Sequence, residues 1–436
     1  MSEVVDICRE LIRIDTSNYG SEDGPGERKA AEYVAGLLDE VGIAAEVVET
    51  GPGRANVLAR WGGTEGADAR TDALLLHGHL DVVPAAAEDW QVHPFSGEVQ
   101  ECPQAGLSVW GRGAVDMKDF DAMLLTVVRE RQRSGRVPER PIVLCFTADE
   151  EAGGHHGAEV LMRDHRAWFE GCTEAVGEVG GFSTTVRGRR LYLIEAAEKG
   201  MAWMRLTARG RAGHGSMVND NNAVTRLASA VARIGTHEWP VRLTPTMRTL
   251  LAAVADIAGT EATPENAPQL IEEFGGAARM LGAVIRNSTN PTMLDAGYKV
   301  NVIPTEATAH VDGRFLPGFE DEFFATLAEL TGDDISIDYL SNQAPWETPY
   351  DGALVDAMTR SLLAEDPGAA VAPYLMSGGT DAKHFNQLGL RAYGFAPLRL
   401  PEALDFTALF HGVDERVPVD ALEFGTRVLD HFLDEV

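Results

Sequence analysis

The sequence contains 436 residues, of which 44% are hydrophobic and 24% are charged, the proportions of a globular protein large enough for two or three domains. Its 37 basic and 67 acidic side chains give a formal net charge of −30. This charge argues against nucleic acid and anionic membrane surfaces as partners, because both bind through clusters of lysine and arginine. No stretch approaches the roughly 18 consecutive apolar residues of a membrane-spanning helix.

The first residues predict an amphipathic helix over 4–12 and not a secretory signal peptide. This stretch has no basic end and no uninterrupted apolar core. The cysteines are far apart and form no CxxC motif, at Cys8, Cys102, Cys145 and Cys172. We therefore expect a cytoplasmic protein with reduced cysteines.

Helix and strand patterns alternate through the first 180 residues. Apolar residues at helical spacing predict helices over 4–12, 27–41, 122–131 and 157–163. Short apolar or alternating runs predict strands over 43–48, 55–61, 73–76 and 141–147. Polar, glycine-rich stretches predict loops over 16–27 and 62–71. This alternation predicts an α/β sheet with helices on its faces.

From about Lys199 the pattern changes. Strands are predicted over 201–209, 296–303, 307–315 and 335–340, helices over 221–234 and 320–330, and a mostly helical stretch over 235–291. The α/β pattern then returns, with helices over 354–363 and 421–432 and strands over 374–376 and 392–395. We therefore predict a first domain in two parts, 1–198 and 344–436, with an inserted α+β domain, 199–343.

The run ALLLHGHLD (73–81) ends a predicted buried strand in a His-x-Asp pair. Residues two apart on a strand point to the same side, so His79 and Asp81 face one site. A carboxylate on the second ring nitrogen of a histidine fixes its tautomer for metal binding. Taken alone, the pair fits a metal site and a polar strand end in solvent equally well.

Further carboxylates follow other predicted strands. Asp149, Glu150 and Glu151 come directly after an apolar strand, where they repel one another unless a cation or solvent separates them. The carboxyl ends of strands are where α/β sheets place ligands, although acidic surface runs are common. Glu178 lies in a glycine-rich strand end. Asp116 lies where a glycine-containing loop meets a helix, a position that also suits a helix cap.

Five pieces of the sequence, in this order and at these separations, resemble one enzyme family. They are HGHLD (77–81), GRGAVDMK (111–118), DEE (149–151), Glu178 before a glycine pair, and His411 in HGVDER. The pattern is similar to the zinc aminoacylase/carboxypeptidase family, which includes glutamate carboxypeptidase, succinyl-diaminopimelate desuccinylase, acetylornithine deacetylase, carboxypeptidase S and the aminoacylases. The resemblance spans nearly the whole chain. It implies a di-zinc exopeptidase-like α/β catalytic domain with an inserted α+β lid and dimerisation domain.

The resemblance implies two zinc ions per subunit, although cobalt or manganese can share such ligands. It makes Asp116 the carboxylate that bridges the two metals. His79 and Glu178 would complete one metal site, and Glu151 and His411 the other. Histidine and carboxylate ligands with open positions are what catalytic zinc sites use.

The resemblance also implies the reaction. Two metals would activate a water molecule, with Glu150 as general base and later as general acid. Asp81 would be the partner that orients His79, and the peptide bond after Asp116 would be cis. His214 would stabilise the oxyanion in the neighbouring subunit of a homodimer; without the resemblance it is interpreted as an ordinary loop histidine.

Four further residues resemble the family's binding site for the substrate carboxylate. Arg314 would bind it, since an arginine can do so bidentately, and Asn301 would accompany it. Gly379 and Thr380 would contribute a backbone and a hydroxyl contact from the catalytic domain.

The sequence departs from the family pattern at three places. It has Met217 where some relatives have a proline after GHGS, and Gly-Glu-Val around Glu178 where Asn-Glu-Gly is more familiar. The stretch 235–291 is longer than in the smallest relatives and resembles the carboxypeptidase S-like branch. That likeness predicts bulkier acyl groups or peptides as substrates.

The predicted function is a di-zinc metallohydrolase that cleaves the amide bond of small molecules, namely N-acyl amino acids or short peptides with a free carboxylate. A dipeptidase or carboxypeptidase would use the same residues, and so would a hydrolase of a non-peptide amide such as a carbamoyl compound. A non-catalytic binding module is a further alternative. It is disfavoured because every ligand position and the base position are filled.

Overall fold

The computed structural model describes residues 1–20, 24–63 and 72–436. Residues 21–23 of the predicted loop 16–27 and residues 64–71 of the predicted loop 62–71 lie outside the described residues. The described chain folds as mixed helix and sheet. Within these ranges, no helix is both long and apolar enough to span a membrane.

The strands are numbered in chain order. They are β1 Ala45–Gly51, β2 Arg54–Trp61, β3 Ala73–His79, β4 Glu98–Cys102, β5 Gly106–Trp110, β6 Ile142–Thr147, β7 Cys172–Gly177, β8 Phe182–Val186, β9 Arg189–Glu198, β10 Gly200–Arg209, β11 Gly213–His214, β12 Ser288–Ala296, β13 Val302–Ile303, β14 Glu306–Phe315, β15 Ile335–Gln343, β16 Trp346–Glu347, β17 Ala370–Met376, β18 Arg391–Gly394 and β19 Arg416–Pro418.

The α-helices are numbered in the same way. They are α1 Glu3–Arg13, α2 Arg28–Asp39, α3 Lys118–Ser134, α4 Ala158–Asp164, α5 Ala223–Thr236, α6 Pro245–Ala258, α7 Ala267–Glu272, α8 Ala278–Gly282, α9 Glu320–Thr331, α10 Ala353–Glu365, α11 Ala382–Gln387 and α12 Val419–Glu435.

Among the described residues, ten strands form one large mixed sheet. Its order is β1-β2-β6-β3-β7-β18-β9-β16, and β8 and β17 also pair with β9. β3 runs parallel to β6 and β7, and β7 runs parallel to β18. The carboxyl ends of these four strands therefore lie at one edge of the sheet. The predicted α/β class is confirmed.

Alternate side chains of the central strands enter two different cores. Leu74 and Leu76 of β3 lie in the core that includes α1, α2, α3 and α12, whereas Leu75 lies in the core that includes α4 and α11. Every residue of β3 and of β6 is buried. This is the pattern of strands covered by helices on both faces.

A second sheet of four antiparallel strands has the order β12-β14-β10-β15. Helices α5 and α9 pack with it, and its core includes Leu206, Leu227, Val311 and Phe323. Burial alternates along β14, as expected for a sheet with one covered face. This unit has its own core, and the domain boundaries at 199 and 343 stay a prediction.

The predicted strand 296–303 is wrong. The strand in this region, β12, ends at Ala296, and only the two-residue β13 follows before β14. β12 contains Pro291, which disfavours a central strand in the sequence pattern. The proline is tolerated because β12 is an edge strand, and its register with β14 shifts between Pro291 and Met293.

The hairpin of β8 and β9 was not predicted, although β9 lies inside the large sheet. The two strands pair antiparallel and are joined at Arg187 and Gly188, which have φ of 49° and 78°. Two consecutive residues with positive φ match the tight turns that join right-twisted strands. The Arg187-Gly188 turn was the sequence feature that could have predicted this hairpin.

The stretch 235–291 contains α6, α7 and α8, but these helices cover less than half of it, and its last residues belong to β12. The buried apolar residues of these helices belong to the main core and not to the core of the second sheet. Leu250, Ile271 and Leu281 belong to the same core as α1, α3 and β9. The helical stretch is therefore structurally continuous with the large sheet.

Candidate metal centre and active site

Neighbouring parallel strands bring three of the predicted ligands together. His79 ends β3, Glu151 follows β6, and Glu178 follows β7. Asp116 comes from the loop between β5 and α3, and His411 from the loop before β19. Because the carboxyl ends of parallel strands meet at one edge, the topology places these side chains at a common site.

Asp116 lies between the two histidines. Its Oδ1 is 3.1 Å from His79 Nε2, and its Oδ2 is 3.2 Å from His411 Nε2. His79 Nε2 is also 3.4 Å from Glu178 Oε2, and His411 Nε2 is 3.0 Å from Glu151 Oε2. Each oxygen of Asp116 thus faces a different histidine–glutamate pair, as a carboxylate shared by two cations would.

The donor set fits metal ions. Within the described residues, ligand atoms of His79, Glu150 and Glu178 lie within 4.8 Å of one another, and so do those of His79, Asp116 and Glu151. Imidazole nitrogen and carboxylate oxygen are the donors that zinc and neighbouring divalent metals use in catalytic sites. The carboxylates are crowded, with Glu178 buried and Asp116, Glu150 and Glu151 half-buried, so a cation would relieve their mutual repulsion.

The pKa values of the side chains in the site are shifted by this crowding. Burial raises the pKa of Glu178 to about 7, against the opposing effect of His79. Burial, together with the charge of Glu178, raises the pKa of Glu150 well above its ordinary range. Hydrogen bonds to Asp116 and Glu151 raise the pKa of His411 to about 10. A metal ion bound here would take the place of a proton on each imidazole nitrogen, because histidine binds metals in its neutral form.

Asp81 orients His79, as predicted, but it does so through its backbone carbonyl and not through its carboxylate. The Nδ1–H of His79 donates to the backbone carbonyl of Asp81 at 2.9 Å, whereas the Asp81 carboxylate lies 3.7 Å away. This contact leaves the Nε2 atom of His79 facing Asp116 and Glu178, where it could bind a metal ion. The expected carboxylate contact is therefore replaced by a carbonyl contact.

The carboxylate of Asp81 instead fixes the acidic turn after β6. Its Oδ1 accepts the backbone N–H of Glu150, and its Oδ2 accepts that of Glu151, both at 3.1 Å. Oδ2 also accepts from the side-chain amide of Asn18 at 2.8 Å, and the same amide donates to Asp149 at 3.0 Å. Asn18 lies in a predicted loop, and nothing in its local sequence pattern indicates this role.

The ligand-bearing loops contain unusual backbone conformations. The Asp116–Met117 peptide bond is cis, as the resemblance implies. Asp149, Val179 and His411 have φ of 66°, 53° and 57°. A β-branched valine with positive φ is a genuine outlier, and such residues cluster at functional sites.

The glycine pair after Glu178 has a packing reason. A Cβ on Gly180 would lie 1.9 Å from the backbone oxygen of Gly394 in β18. Only glycine lets the two backbones approach this closely. The pair therefore keeps the Glu178 loop against the neighbouring strand.

A cavity of about 420 Å³ opens over the predicted metal ligands. It lies against Asp116, Glu150, Glu151, Glu178 and His411. The rest of its wall comes from four other places in the chain: Val179, residues 279–280 of α8, and the segments 376–380 and 405–410. Its size matches pockets that bind small molecules.

Two of the predicted substrate-binding residues, Gly379 and Thr380, line this cavity, but Thr380 is hydrogen-bonded to another residue of the protein. Thr380 donates both its backbone N–H and its hydroxyl to the buried carboxylate of Glu198. Gly379 is exposed and remains available to a ligand. The sequence did not indicate a role for Glu198, because the strand that ends at this residue, β9, was not predicted.

Arg314 lies beside the cavity and not in its wall. Its Nε and one terminal nitrogen pair with the carboxylate of Asp312 at 2.7 and 3.1 Å. Its other terminal nitrogen is 3.5 Å from the carbonyl of Ser377, which does line the cavity. Asp312 therefore holds the guanidinium close to the cavity rim.

His214 and Asn301 are not brought to the metal cluster within this chain. Both are exposed, and they lie on facing strand ends where the N–H of Gly215 donates to the carbonyl of Asn301 at 3.0 Å. The Nδ1 of His214 contacts the hydroxyl of Ser216 at 2.8 Å. Neither residue lines the cavity.

The fold is α/β, and the site is a cluster of histidine and carboxylate side chains whose donor atoms could hold metal ions. Residues 75–435 match peptidase family M20/M25/M40. The chain belongs to this family and is a hydrolase.

Similar proteins cover nearly the full length of the chain. It is 26% identical to human aminoacylase-1 over 422 residues, which cover 95% of this chain and 90% of that protein. It is also 26% identical over 447 residues to the N-fatty-acyl-amino acid synthase/hydrolase PM20D1 of Xenopus tropicalis, with 97% and 83% covered. The structure of the M20 family metallo-carboxypeptidase Sso-CP2 from Sulfolobus solfataricus is similar in fold, with a TM-score of 0.72 and 18% identity over 100% of this chain and 99% of that one.

Proposed function

We propose that this protein is a di-zinc amidohydrolase that cleaves N-acyl amino acids or short peptides bearing a free carboxylate. The observation that carries the proposal is the placement of Asp116, whose two oxygens face two histidine–glutamate pairs beneath a cavity of small-molecule size. Membership of a peptidase family that includes an aminoacylase and a metallo-carboxypeptidase supports the same reaction class.

The metal sites follow from the donor pairs. His79, Asp116 and Glu178 would hold one zinc ion, and Asp116, Glu151 and His411 the other. When bound, the two ions supply Lewis acidity that polarises a carbonyl and lets water ionise near neutral pH. Cobalt or manganese would suit the same ligands.

Glu150 would move the proton. It lines the cavity next to the ligand Glu151, and the hydrogen bond from its backbone N–H to Asp81 holds it in place. Its carboxylate would accept a proton from the attacking water and donate it to the leaving amine, the double role of a general acid–base.

The substrate carboxylate would lie at the rim near Ser377. Arg314 is held there by Asp312 and can bind a carboxylate in the bidentate manner of arginine. The exposed backbone at Gly379 would add a contact, whereas the hydroxyl of Thr380 is engaged by Glu198. Thr380 would therefore act by holding the loop.

The inserted domain, residues 199–343, would form a homodimer in which His214 reaches the partner's site and Asn301 supports substrate binding. Edge strand β12 and the loop after it expose large apolar side chains, which support burial against a second copy. These side chains are Met293, Leu294, Tyr298 and Val300. Mixed dimers of Glu150→Gln and His214→Ala subunits should then regain activity, and inactive mixed dimers would refute the shared site.

A reducing compartment such as the cytoplasm suits the cysteines. All four lie in described residues, and none forms a disulfide. Unpaired, mostly buried cysteines are typical of proteins kept in reducing conditions.

Hydrolysis of a substrate panel tests the proposed function. N-acetyl amino acids, dipeptides and N-carbamoyl amino acids would each be incubated with the zinc-loaded enzyme, and released amine would be measured. Cleavage of N-acetyl amino acids or dipeptides supports the proposal. Cleavage of the carbamoyl compounds alone would assign the enzyme to non-peptide amides, and stable binding of all three without turnover would favour the binding module.

A further inference from the structure

We propose that Lys199 is a positioning residue for the substrate carboxylate, because it joins the three chain segments that surround Arg314. This inference rests on the proposed function and adds a residue to its binding site. Lys199 lies between β9 and β10, where the chain passes from the large sheet to the second sheet. Its side chain is buried and does not line the cavity. Lys199 would therefore act through Arg314 and not by touching the substrate.

Each N–H bond of the Lys199 ammonium has an acceptor. Nζ donates to the backbone carbonyls of Ala283 and Arg286 at 3.0 and 2.8 Å, and to the hydroxyl of Ser288 at 3.3 Å. These acceptors lie just after α8 and at the start of β12. Hydrogen bonds from a charged donor are stronger than those between neutral groups. Lys199 therefore fixes the point at which the chain enters the second sheet through β12.

The two strands that flank Arg314 are joined through Lys199. On β14, Arg314 pairs with Ser288 of β12 on one side and with Met201 of β10 on the other. Ser288 accepts the hydrogen bond from Lys199, and Met201 follows Lys199 by two residues along the chain. The backbone on both sides of Arg314 is therefore held by the same lysine.

The third segment is the end of β17, beside the cavity. The backbone N–H of Lys199 donates to the carbonyl of Met376 at 3.0 Å. The next carbonyl, that of Ser377, lies 3.5 Å from a terminal nitrogen of Arg314 and lines the cavity. Because neighbouring carbonyls face Lys199 and Arg314, the position of the guanidinium at the cavity rim depends on Lys199.

Lys199 also places a second cation near Arg314. Burial, and then the charge of Arg314, lower the pKa of Lys199 to about 7. Arg314 is paired with Asp312, whereas the acceptors of Lys199 are two carbonyls and a hydroxyl, all neutral. A substrate carboxylate on Arg314 would bring negative charge to this pair of cations, and opposite charges attract more strongly away from water.

The first test compares N-acetyl-alanine with its carboxamide in the Lys199→Met variant. Methionine keeps a long unbranched side chain but cannot donate hydrogen bonds. The KM for the acid should rise about tenfold, whereas the KM for the amide and the zinc stoichiometry should stay at wild-type values. Lys29→Met, at an exposed lysine, is the matched control. Equal changes for acid and amide, or an unchanged KM for the acid, would refute the inference.

A double-mutant cycle tests whether Lys199 acts through Arg314. Lys199→Met should raise the KM for the acid about tenfold in the wild type, but less than about twofold in the Arg314→Ala background, because the guanidinium that it positions is then absent. The same increase in both backgrounds would show that Lys199 acts independently of Arg314, and would refute the inference.

Ser288→Ala tests the same contact with a smaller change in packing. It removes one acceptor of Lys199 and leaves both carbonyls, so the KM for the acid should rise about threefold with no change for the amide. Chemical denaturation shows whether each variant is folded. If Lys199→Met does not fold, an unchanged ratio of acid to amide KM in Ser288→Ala refutes the inference by itself.

Binding measured without turnover separates this inference from the proposed function. Calorimetry with zinc-loaded Glu150→Gln protein should show that adding Lys199→Met weakens binding of N-acetyl-alanine and leaves binding of its carboxamide unchanged, even if the wild type cleaves neither. Unchanged affinity for the acid, or equal affinities for acid and amide before the substitution, would refute the role of Lys199. Failure of the wild type to cleave any compound of the substrate panel would refute the proposed function instead.

Discussion

The Oδ1 atom of Asp81 accepts the backbone N–H of Glu150 at 3.1 Å. The same aspartate receives the Nδ1–H of His79 on its carbonyl and the N–H of Glu151 on its other carboxylate oxygen. One residue therefore orients a predicted ligand from β3 and fixes the turn that carries the predicted base. If His79 binds metal and Glu150 is the base, as proposed, this arrangement would couple metal binding to the position of the base.

Replacing Asp81 with asparagine should impair catalysis strongly. The amide would offer one acceptor oxygen to backbone N–H groups that now use two, so a buried donor would lose its partner. We expect kcat/KM to fall about 100-fold, with metal affinity reduced about 10-fold. Steady-state kinetics and metal titration would measure both. The exposed Asp89→Asn variant is the control, and wild-type values for Asp81→Asn would contradict this role.

Substitutions of the neighbouring glutamates should have different effects, because Glu150 is proposed to carry the proton and Glu151 to bind metal. Glu150→Gln should lower kcat by at least about 100-fold with both metals retained, because only the proton carrier is lost. Glu151→Gln should lose metal, because it faces His411. Elemental analysis beside kinetics distinguishes the two. Metal loss in Glu150→Gln with retention in Glu151→Gln would reverse the assignment.

Arg314 should govern recognition of the substrate carboxylate. Arg314→Ala should raise KM by about 10- to 100-fold, since hydrogen bonds to charged groups contribute about 1.5–3 kcal/mol. The corresponding carboxamide substrates should be affected little. Asp312→Asn keeps the arginine but removes its charged partner, so it should show a smaller effect of the same kind. Equal losses on acids and amides would indicate a structural arginine.

Lys199 should make stability depend on pH. Burial lowers the pKa of Lys199 to about 7 from an ordinary value of 10.5, with Arg314 acting in the same direction. Between pH 7 and 10.5 the unfolded chain therefore binds one more proton than the native protein at this residue, so this residue's contribution to stability rises with pH.

The Lys199→Met variant isolates that contribution. The free energy of unfolding of the wild type relative to the variant should rise between pH 7 and 9, by at most about 1.4 kcal/mol per pH unit. Chemical denaturation at several pH values measures it. A difference that stays constant or falls over this range would show that the ammonium remains charged in the native protein.

The residues that the resemblance assigns to the metals could be predicted because their chemistry shows in the sequence. Asp116, Glu151 and Glu178 are acidic residues at strand or loop ends, and the structure brings them to His79 and His411. Strand ends converge in any parallel sheet, so the convergence needs no knowledge of side-chain packing.

The hydrogen bonds that support the site join residues far apart in the sequence, so no local sequence pattern predicts them. Asn18 reaches Asp81 across 63 positions of sequence, and Glu198 reaches Thr380 across 182. His79 Nδ1 lies 2.9 Å from the carbonyl of Asp81 and 3.7 Å from its carboxylate, and the sequence pattern does not distinguish these two partners. Edge strand β12 was not predicted, because Pro291 has no N–H to donate to a second neighbouring strand and is tolerated only at the edge of a sheet.

Metal stoichiometry measured alongside activity tests the central claim most directly. The protein would be stripped with a chelator, titrated with Zn²⁺, and assayed on an N-acyl amino acid at each step. The account predicts an inactive stripped protein, two ions bound per chain, and activity that returns as they bind. Full activity in the stripped protein, or zinc that binds equally well after His79→Ala and His411→Ala substitution, would contradict it.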